Sequence, residues 1–274
     1  MNDDVIWKVQ IAQTIPHEKR FAKELIKLFI AQEKEVLRNV KKVKLPKEKK
    51  FDIKQSVDVI LDDILFDSEK WDIEFVKKML PFYRSMAIVA GESALAGIDV
   101  GVEFNVEDKA VKKFIREKTI KFSGFVNGET SKRLNRIIAP IIEEGGSIEI
   151  VREKIQLAVK KVYDSSIRGT ASRARLIART EMVGTANGSQ LEGFKQSGVV
   201  KYKGWLTSRD LRVRDTHIAA GVRYTRLKGI PLDQPFLVGN AKLSAPGNLI
   251  SGEKSEIMAC RCTLIVAKKR KKGK

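Results

Sequence analysis

The chain changes character at Gly198, and that change limits what it can fold into more than any single motif does. Upstream, apolar residues recur at helical spacing with Lys and Glu between them. Downstream, short β-like pieces are punctuated by Pro231, Pro235, Gly239, Pro246, Gly247 and Gly252. The pattern predicts a mostly α amino-terminal region followed by a small α+β carboxy-terminal domain. A length of 274 residues leaves room for one or two domains. We divide the chain into a helical, protein-docking region at 1–145, a compact domain at 146–267 and a basic tail at 268–274.

Phe21, Leu25, Leu28, Phe29 and Val36 mark a first helix. The Lys-rich stretch from Arg38 to Lys50, broken by Pro46, reads as a solvated linker. Val57, Ile60, Leu61, Ile64 and Leu65 mark a second helix. A third runs from Ser68, an N-cap candidate, to about Gly97, kinked at Pro81. Asp99 to Asn105 reads as a break. Separate helices are then expected at about 106–119 and from Thr130 to Glu144, the latter ended by Gly145 and Gly146. Ser147 offers an N-cap with Ile150 three residues on, and Val151, Ile155, Ala158, Val159 and Val162 form the next stripe. A long helix follows at about 170–196. The segments 199–205 and 262–266 read as strands. The tail Lys268 to Lys274 is expected to be disordered, since its like charges repel and nothing in it can be buried. No internal repeat suggests a solenoid.

Charge is distributed unevenly. Residues 1–145 carry 27 Lys and Arg against 24 Asp and Glu, whereas residues 146–274 carry 26 against 10. So +16 of the net +19 lies in the second part, which points to an anionic partner there; the plain alternative is a basic, soluble surface. No apolar run reaches the roughly 18 residues of a membrane span, so no membrane partner is expected. The acidic start, Met1-Asn2-Asp3-Asp4, shows no export signal. Cys260 and Cys262, expected to point to opposite faces of an extended segment, make no disulfide scaffold and suit a reducing cytoplasm.

Between Trp205 and Cys262 several chemically able groups stand close together. Arg209, Arg212 and Arg214 surround Asp210 and Asp215. Arginine forks suit phosphate, but the same residues could lock a loop by pairing with the two aspartates. Arg173, Arg175 and Arg179 pose the same choice on the long helix, where Arg179 is expected to pair with Glu181, Asp210 or Asp215. His217 is one of two histidines; with Cys260 and Cys262 it forms a candidate zinc set, and Asp210 or Asp215 could complete it. Without the metal, His217 is a structural hydrogen-bonder. A nuclease would use it as general base with Arg212 or Arg214 stabilising developing charge, but no nucleophile or paired acids accompany it. Gly184 and Gly188 read as close packing, and Trp205 as a core aromatic.

In order, I-A-R-T-E at 177–181, W-x-T-x-x-D-x-R-V-R-x-x-H at 205–217, P-G at 246–247 and I-M-A-C-R-C at 257–262 resemble the phage Mu F-like minor head protein family, the head morphogenesis proteins of tailed phages. The resemblance covers about 146–267, and the upstream helices also look like that family. It implies a low-copy protein of the virion interior, made in the host cytoplasm, associated with the portal and packaged double-stranded DNA and ejected with the genome. Scaffold or major capsid protein would be further partners. Carried over by position, Arg179, Thr180 and Glu181 match the helix motif; Trp205, Thr207, Asp210, Arg212, Arg214 and His217 the central one; Cys260, Arg261 and Cys262 the last. No catalytic role comes with them. Lys268, Lys269, Arg270, Lys271 and Lys272 join Arg209, Arg212 and Arg214 as candidate contacts to DNA phosphates. Two other classes stand beside this one: a genome-associated nuclease or toxin-like enzyme using His217, and a structural assembly factor without DNA contact.

Overall fold

A computed structural model of the chain describes residues 2–42, 65–144, 147–164, 169–208 and 210–269. Its fold is mostly helical up to Gln196 and α+β beyond, as the change at Gly198 predicts. The elements are α1 (Asp3–Val40), α2 (Ser68–Ala96), α3 (Lys109–Glu144), α4 (Ile148–Val162), α5 (Thr170–Gln196), β1 (Tyr202–Leu206), α6 (Asp215–Arg223), β2 (Ile230–Pro231), β3 (Phe236–Val238), β4 (Ala241–Ala245), β5 (Asn248–Ser251), a 3-10 turn at Lys254–Glu256 and β6 (Thr263–Ala267). No helix among the described residues is long and apolar enough to cross a membrane.

The chain forms two compact units: Met1–Phe21, Leu80–Glu117 and Arg175–Lys274 make the first; Ala22–Met79 and Lys118–Ala174 make the second. This partition interleaves along the sequence, unlike the cut at 145/146.

In the second unit Phe29, Trp71, Phe75 and Phe122 form a chain of ring contacts with centroids 6.1 to 6.4 Å apart. Ser147 caps α4 by accepting from Ile150 N–H, as its position predicts, and Val151, Ile155, Ala158 and Val159 are the buried stripe. One expectation is corrected: no break separates 119 from 130, because α3 is continuous. The polar residues between them are used inside the helix. Ser123 donates to Ile120 O (2.9 Å) and Thr130 to Val126 O (2.8 Å). Asn127, fully buried, accepts from Gln32 (2.8 Å) and donates to Asp72 (2.6 Å). These bonds offset the roughly 1 kcal/mol that each of Gly124 and Gly128 costs a helix. Arg173 is also corrected. It donates to Val126 O and Thr130 Oγ1 (3.0 Å each) and lies over the Phe29 ring (4.6 Å), so its partners are a carbonyl, a hydroxyl and a ring rather than the acidic residues expected. The expected helix at 57–65 and the Gly145-Gly146 stop fall almost wholly outside the described residues.

In the first unit Gly198, with φ of +69°, ends α5. The chain then enters β1, which pairs antiparallel with β6 from Tyr202↔Ala267 to Leu206↔Thr263 and with the short β2 on its other edge. A second sheet, β3-β4-β5, is an antiparallel meander. Trp205, Tyr224, Phe236, Leu243, Cys260, Cys262 and Leu264 share one core with Leu191 and Phe194 of α5. Lys203 is buried in it (1% exposed) with an ammonium that donates to Leu232 O (2.8 Å) and Ser244 O (2.7 Å) beneath the Phe236 ring. The root of the tail is held: Lys268 N–H donates to Arg226 O and Lys268 O accepts from Gly229 N–H. That corrects the expected disorder for Lys268 and Lys269, both exposed; residues 270–274 lie outside the described part.

Candidate metal centre

His217 stands in the first turn of α6, whose amphipathic pattern turns it and Ala220 inward. Trp205 of β1 meets the imidazole edge-on (centroids 5.4 Å apart, 84°) and fixes its plane. Both are buried, so Trp205 is the core aromatic its type suggests. The segment ahead of β6 brings in the sulfurs. Ala259 takes a positive φ of 53°, and its N–H is held by Thr180 Oγ1 of α5 (2.9 Å). Beyond it Asn187, also on α5, accepts from Leu264 N–H (2.8 Å) and donates to Cys262 O (2.9 Å), standing where a neighbouring strand would. Cys260 and Cys262 therefore face the same side. This corrects the expectation of opposite faces, since side chains alternate with a period of two and residues two apart coincide.

The result is a buried trio. His217 Nδ1 lies 3.4 Å from Cys262 Sγ and 3.7 Å from Cys260 Sγ, and all three donor atoms fall within 4.8 Å of one another. Both cysteines are free thiols. A tetrahedral zinc with bonds of about 2.3 Å to sulfur and 2.0–2.1 Å to nitrogen separates those ligands by about 3.5–3.6 Å. The observed distances bracket that figure, so the trio could hold a metal ion. Neither Asp210 nor Asp215 completes the set, which corrects the expected fourth ligand: among the described residues the cluster has three members. Asp210 instead accepts from Arg212 N–H (2.9 Å) and faces the guanidinium groups of Arg212 (3.6 Å) and Arg261 (3.9 Å).

The surroundings also suit a metal. His217 Nε2–H donates to Glu256 Oε2 (3.0 Å), and Thr216 Oγ1 donates to the same oxygen (2.9 Å). A carboxylate there fixes the ring and leaves Nδ1 as the ligating nitrogen. Cys262 N–H points at Cys260 Sγ (3.4 Å). The buried Trp205 indole N–H has no partner of good hydrogen-bond geometry, yet it lies where it favours charge on Cys262, as does the Ser208 backbone. A hydrogen bond from Cys262 and then the His217 ring hold the Cys260 thiol down to about 5, against burial. Cys262, giving that bond, is pushed up, by its link to Cys260 first and burial second. Burial works against protonation of His217, but Cys260 and Glu256 outweigh it and raise its pKa.

A Cys-His-Glu line is also the outline of a thiol nucleophile with its base. Here two sulfurs lie beside one ring nitrogen, an arrangement that a metal ion also serves. As a base His217 is placed to serve the thiols, because Nδ1 faces the two sulfurs and Nε2 faces Glu256.

The trio opens on a cleft of about 190 Å³ whose walls include Arg179, Arg212, Arg214 and Arg261 against one carboxylate, Asp210. Arg214 donates to Met258 O (2.7 Å) and Arg212 is 73% exposed. Burial first, then the neighbouring Arg179 and Arg212, lower the pKa of Arg261. Arg179 pairs with Glu18 (3.7 Å) rather than with Glu181, Asp210 or Asp215. Glu181 accepts from the buried Tyr83 hydroxyl (2.8 Å). The motif residues 179–181 thus do three different things: one faces the cleft, one holds the cysteine segment and one anchors the helix. Gly188 packs against Phe114 and Gly184 against Gly247, the close contacts expected of them. Arg209, Arg270, Lys271 and Lys272 lie outside the described residues, and Lys268 and Lys269 take no part in the cleft. Glu256, Asn187 and Glu18 were missed by the sequence reading; each lies outside the quoted motifs and is identified only by its contact.

The fold and the trio define a mostly helical protein whose α+β part carries a Cys-Cys-His cluster that could hold a metal ion. No family model matches the chain, and no solved structure matches it. It is 26% identical over 156 residues to the Bacillus subtilis (strain 168) "Uncharacterized protein YqbB", covering 56% of this chain and 48% of that protein. The chain therefore spans about half the length of the curated relative it matches.

Proposed function

We propose that the chain is a minor head protein of a tailed phage or prophage, acting in head morphogenesis. It sits at the portal inside the procapsid, contacts packaged double-stranded DNA without sequence preference and leaves with the genome; scaffold or major capsid protein are its further neighbours. Zinc is the ion of the Cys-Cys-His centre, because two thiolates and an imidazole in tetrahedral spacing suit it better than a harder cation.

The carrying observation is that motifs far apart in sequence, in the order of the Mu F-like family, supply one site: Thr180, Trp205, His217, Cys260 and Cys262 all contact or position the same trio. The excess of 26 basic over 10 acidic residues in 146–274 supports the DNA contact. The nuclease alternative has no comparable support, since His217 has no nitrogen left for a substrate proton.

The test is capture of purified portal protein by the full chain across a salt series, with and without DNA. Portal binding that survives high salt, beside DNA binding that falls with a log-log slope of roughly −0.9 per phosphate contact, is expected. Deleting 268–274 should flatten that slope; an unchanged slope removes the tail from the DNA contact. Salt-independent association with protein alone would leave a purely structural assembly factor, and degradation of the DNA would favour the enzyme.

A further inference from the structure

Among the described residues the cluster that could hold a metal ion has three members, and a tetrahedral ion needs four ligands. Structural zinc sites close their fourth position with protein, whereas open sites leave it to a small exogenous ligand. Here Cys260, Cys262 and His217 all line the cleft, so a small ligand entering it meets all three. The one carboxylate on that wall, Asp210, already holds the Arg212 N–H and faces two guanidinium groups.

Charge then selects the ligand. Two thiolates cancel a divalent ion, so the centre itself is neutral and the arginines set the field. Four of them, Arg179, Arg212, Arg214 and Arg261, line the cleft; Asp210 faces Arg212 and Arg261, and Glu18 pairs with Arg179 and also acts on Arg261. Guanidinium forks match the oxygens of a phosphate group, and four guanidinium groups against these two carboxylates leave a net positive charge. Size selects further. About 190 Å³ is below the roughly 300–1,000 Å³ of clefts that enclose whole drug-sized ligands. A single phosphate group fits, whereas the internal phosphodiesters of a duplex cannot reach buried sulfur ligands.

We infer that the cleft is a phosphate-binding site, in which a phosphate monoester or free phosphate oxygen takes the fourth position of the Cys-Cys-His ion while Arg212 and Arg261 hold the remaining oxygens. This rests on the zinc part of the proposed function and deepens it: besides the sequence-independent contact to the duplex, the protein has a distinct seat for a terminal phosphate.

The experiment uses the full chain with cobalt in place of zinc, because the visible bands of tetrahedral cobalt report directly on its ligands. Inorganic phosphate, a nucleoside monophosphate and a short duplex with or without 5′-phosphates are titrated in turn. A saturable band shift with phosphate, absent for the unphosphorylated duplex, is expected. A shift at lower concentration with the phosphorylated duplex than with inorganic phosphate identifies a nucleic-acid end as the source, and the reverse order identifies the free ion. The Arg212→Gln, Arg261→Gln double variant should keep one metal per chain and bind roughly a hundredfold more weakly, about tenfold for each charged hydrogen bond removed. Bound cobalt whose spectrum ignores every phosphate, or a double variant that responds like the parent, overturns the inference and leaves the zinc reading standing. No bound metal in the parent chain overturns both.

Discussion

The two units each bury a polar constellation, and the contrast between them is instructive. In the second unit Gln32, Asn127 and Asp72 form a relay, and Arg173 reaches Val126 O and Thr130 over the Phe29 ring. Most donors there meet acceptors, although Gln32 Oε1 finds no partner among the described residues, and the contacts are those that packing brings together. In the first unit His217, Cys260 and Cys262 bring three donor atoms within 4.8 Å of one another. Both sets are buried and both are hydrogen-bonded at their edges. What separates them is the kind of group: amides, a carboxylate and a guanidinium in the one, and in the other two sulfurs and an imidazole that could hold a metal ion.

That contrast can be broken, and the largest expected effect comes from the metal. Stripping zinc with a chelator, or replacing Cys262 with Ser, should lower stability by on the order of 5 kcal/mol, less than the roughly 10–16 kcal/mol of isolated zinc-finger peptides because a core remains here. Thermal unfolding with metal analysis measures it; a chelator that removes metal without moving the transition would make the centre incidental to the fold.

Lys203 sharpens the comparison, being a buried charge of the first unit that is satisfied internally. Burial, then the charge of Lys195, lowers its pKa to about 8 from 10.5. The unfolded chain therefore holds more protons between those values, and stability due to this residue rises with pH across that window. The gain is about 3 kcal/mol at roughly 1.4 kcal/mol per pH unit. Denaturant unfolding at pH 7.5 and 10.5 should show this rise in the parent relative to Lys203→Met. Equal pH dependence in the two proteins would mean that the paired carbonyls hold the ammonium without penalty.

The smallest effect belongs to the relay. Asn127→Ala should cost about 2 kcal/mol by leaving Gln32 and Asp72 without their shared partner. It should leave metal content unchanged, as paired elemental analysis and unfolding would establish. Metal loss in this variant would deny the independence of the two constellations.

Much of this was legible in the chain. Helical spacing located α2, α4 and α5; Ser147 and Gly198 marked their ends; and the punctuation after Gly198 announced the sheets. The His217, Cys260 and Cys262 cluster was legible because histidine and cysteine are scarce here. The partners were not. Short polar side chains at 123–130 signal a turn locally and become interior donors only when Gln32 and Asp72 arrive from elsewhere. Likewise, nothing local to Arg179 points to Glu18, and nothing local to Asn187 tells that a helical amide will stand in for a strand. Such choices are made by tertiary packing, which single-segment patterns do not encode.

Gly247, with φ of +78°, rests on Gly184 so closely that a Cβ would sit 2.9 Å from the helix backbone, and beside it Asn248 reaches the Gly184 carbonyl. That seam joins the β4–β5 turn to the same helix that carries Thr180 and Asn187. Anyone transplanting the centre into a designed scaffold would therefore have to copy a spacing as well as three ligands. A single added methyl at Gly247 would act as a wedge, displacing the turn from the helix that aligns the sulfurs.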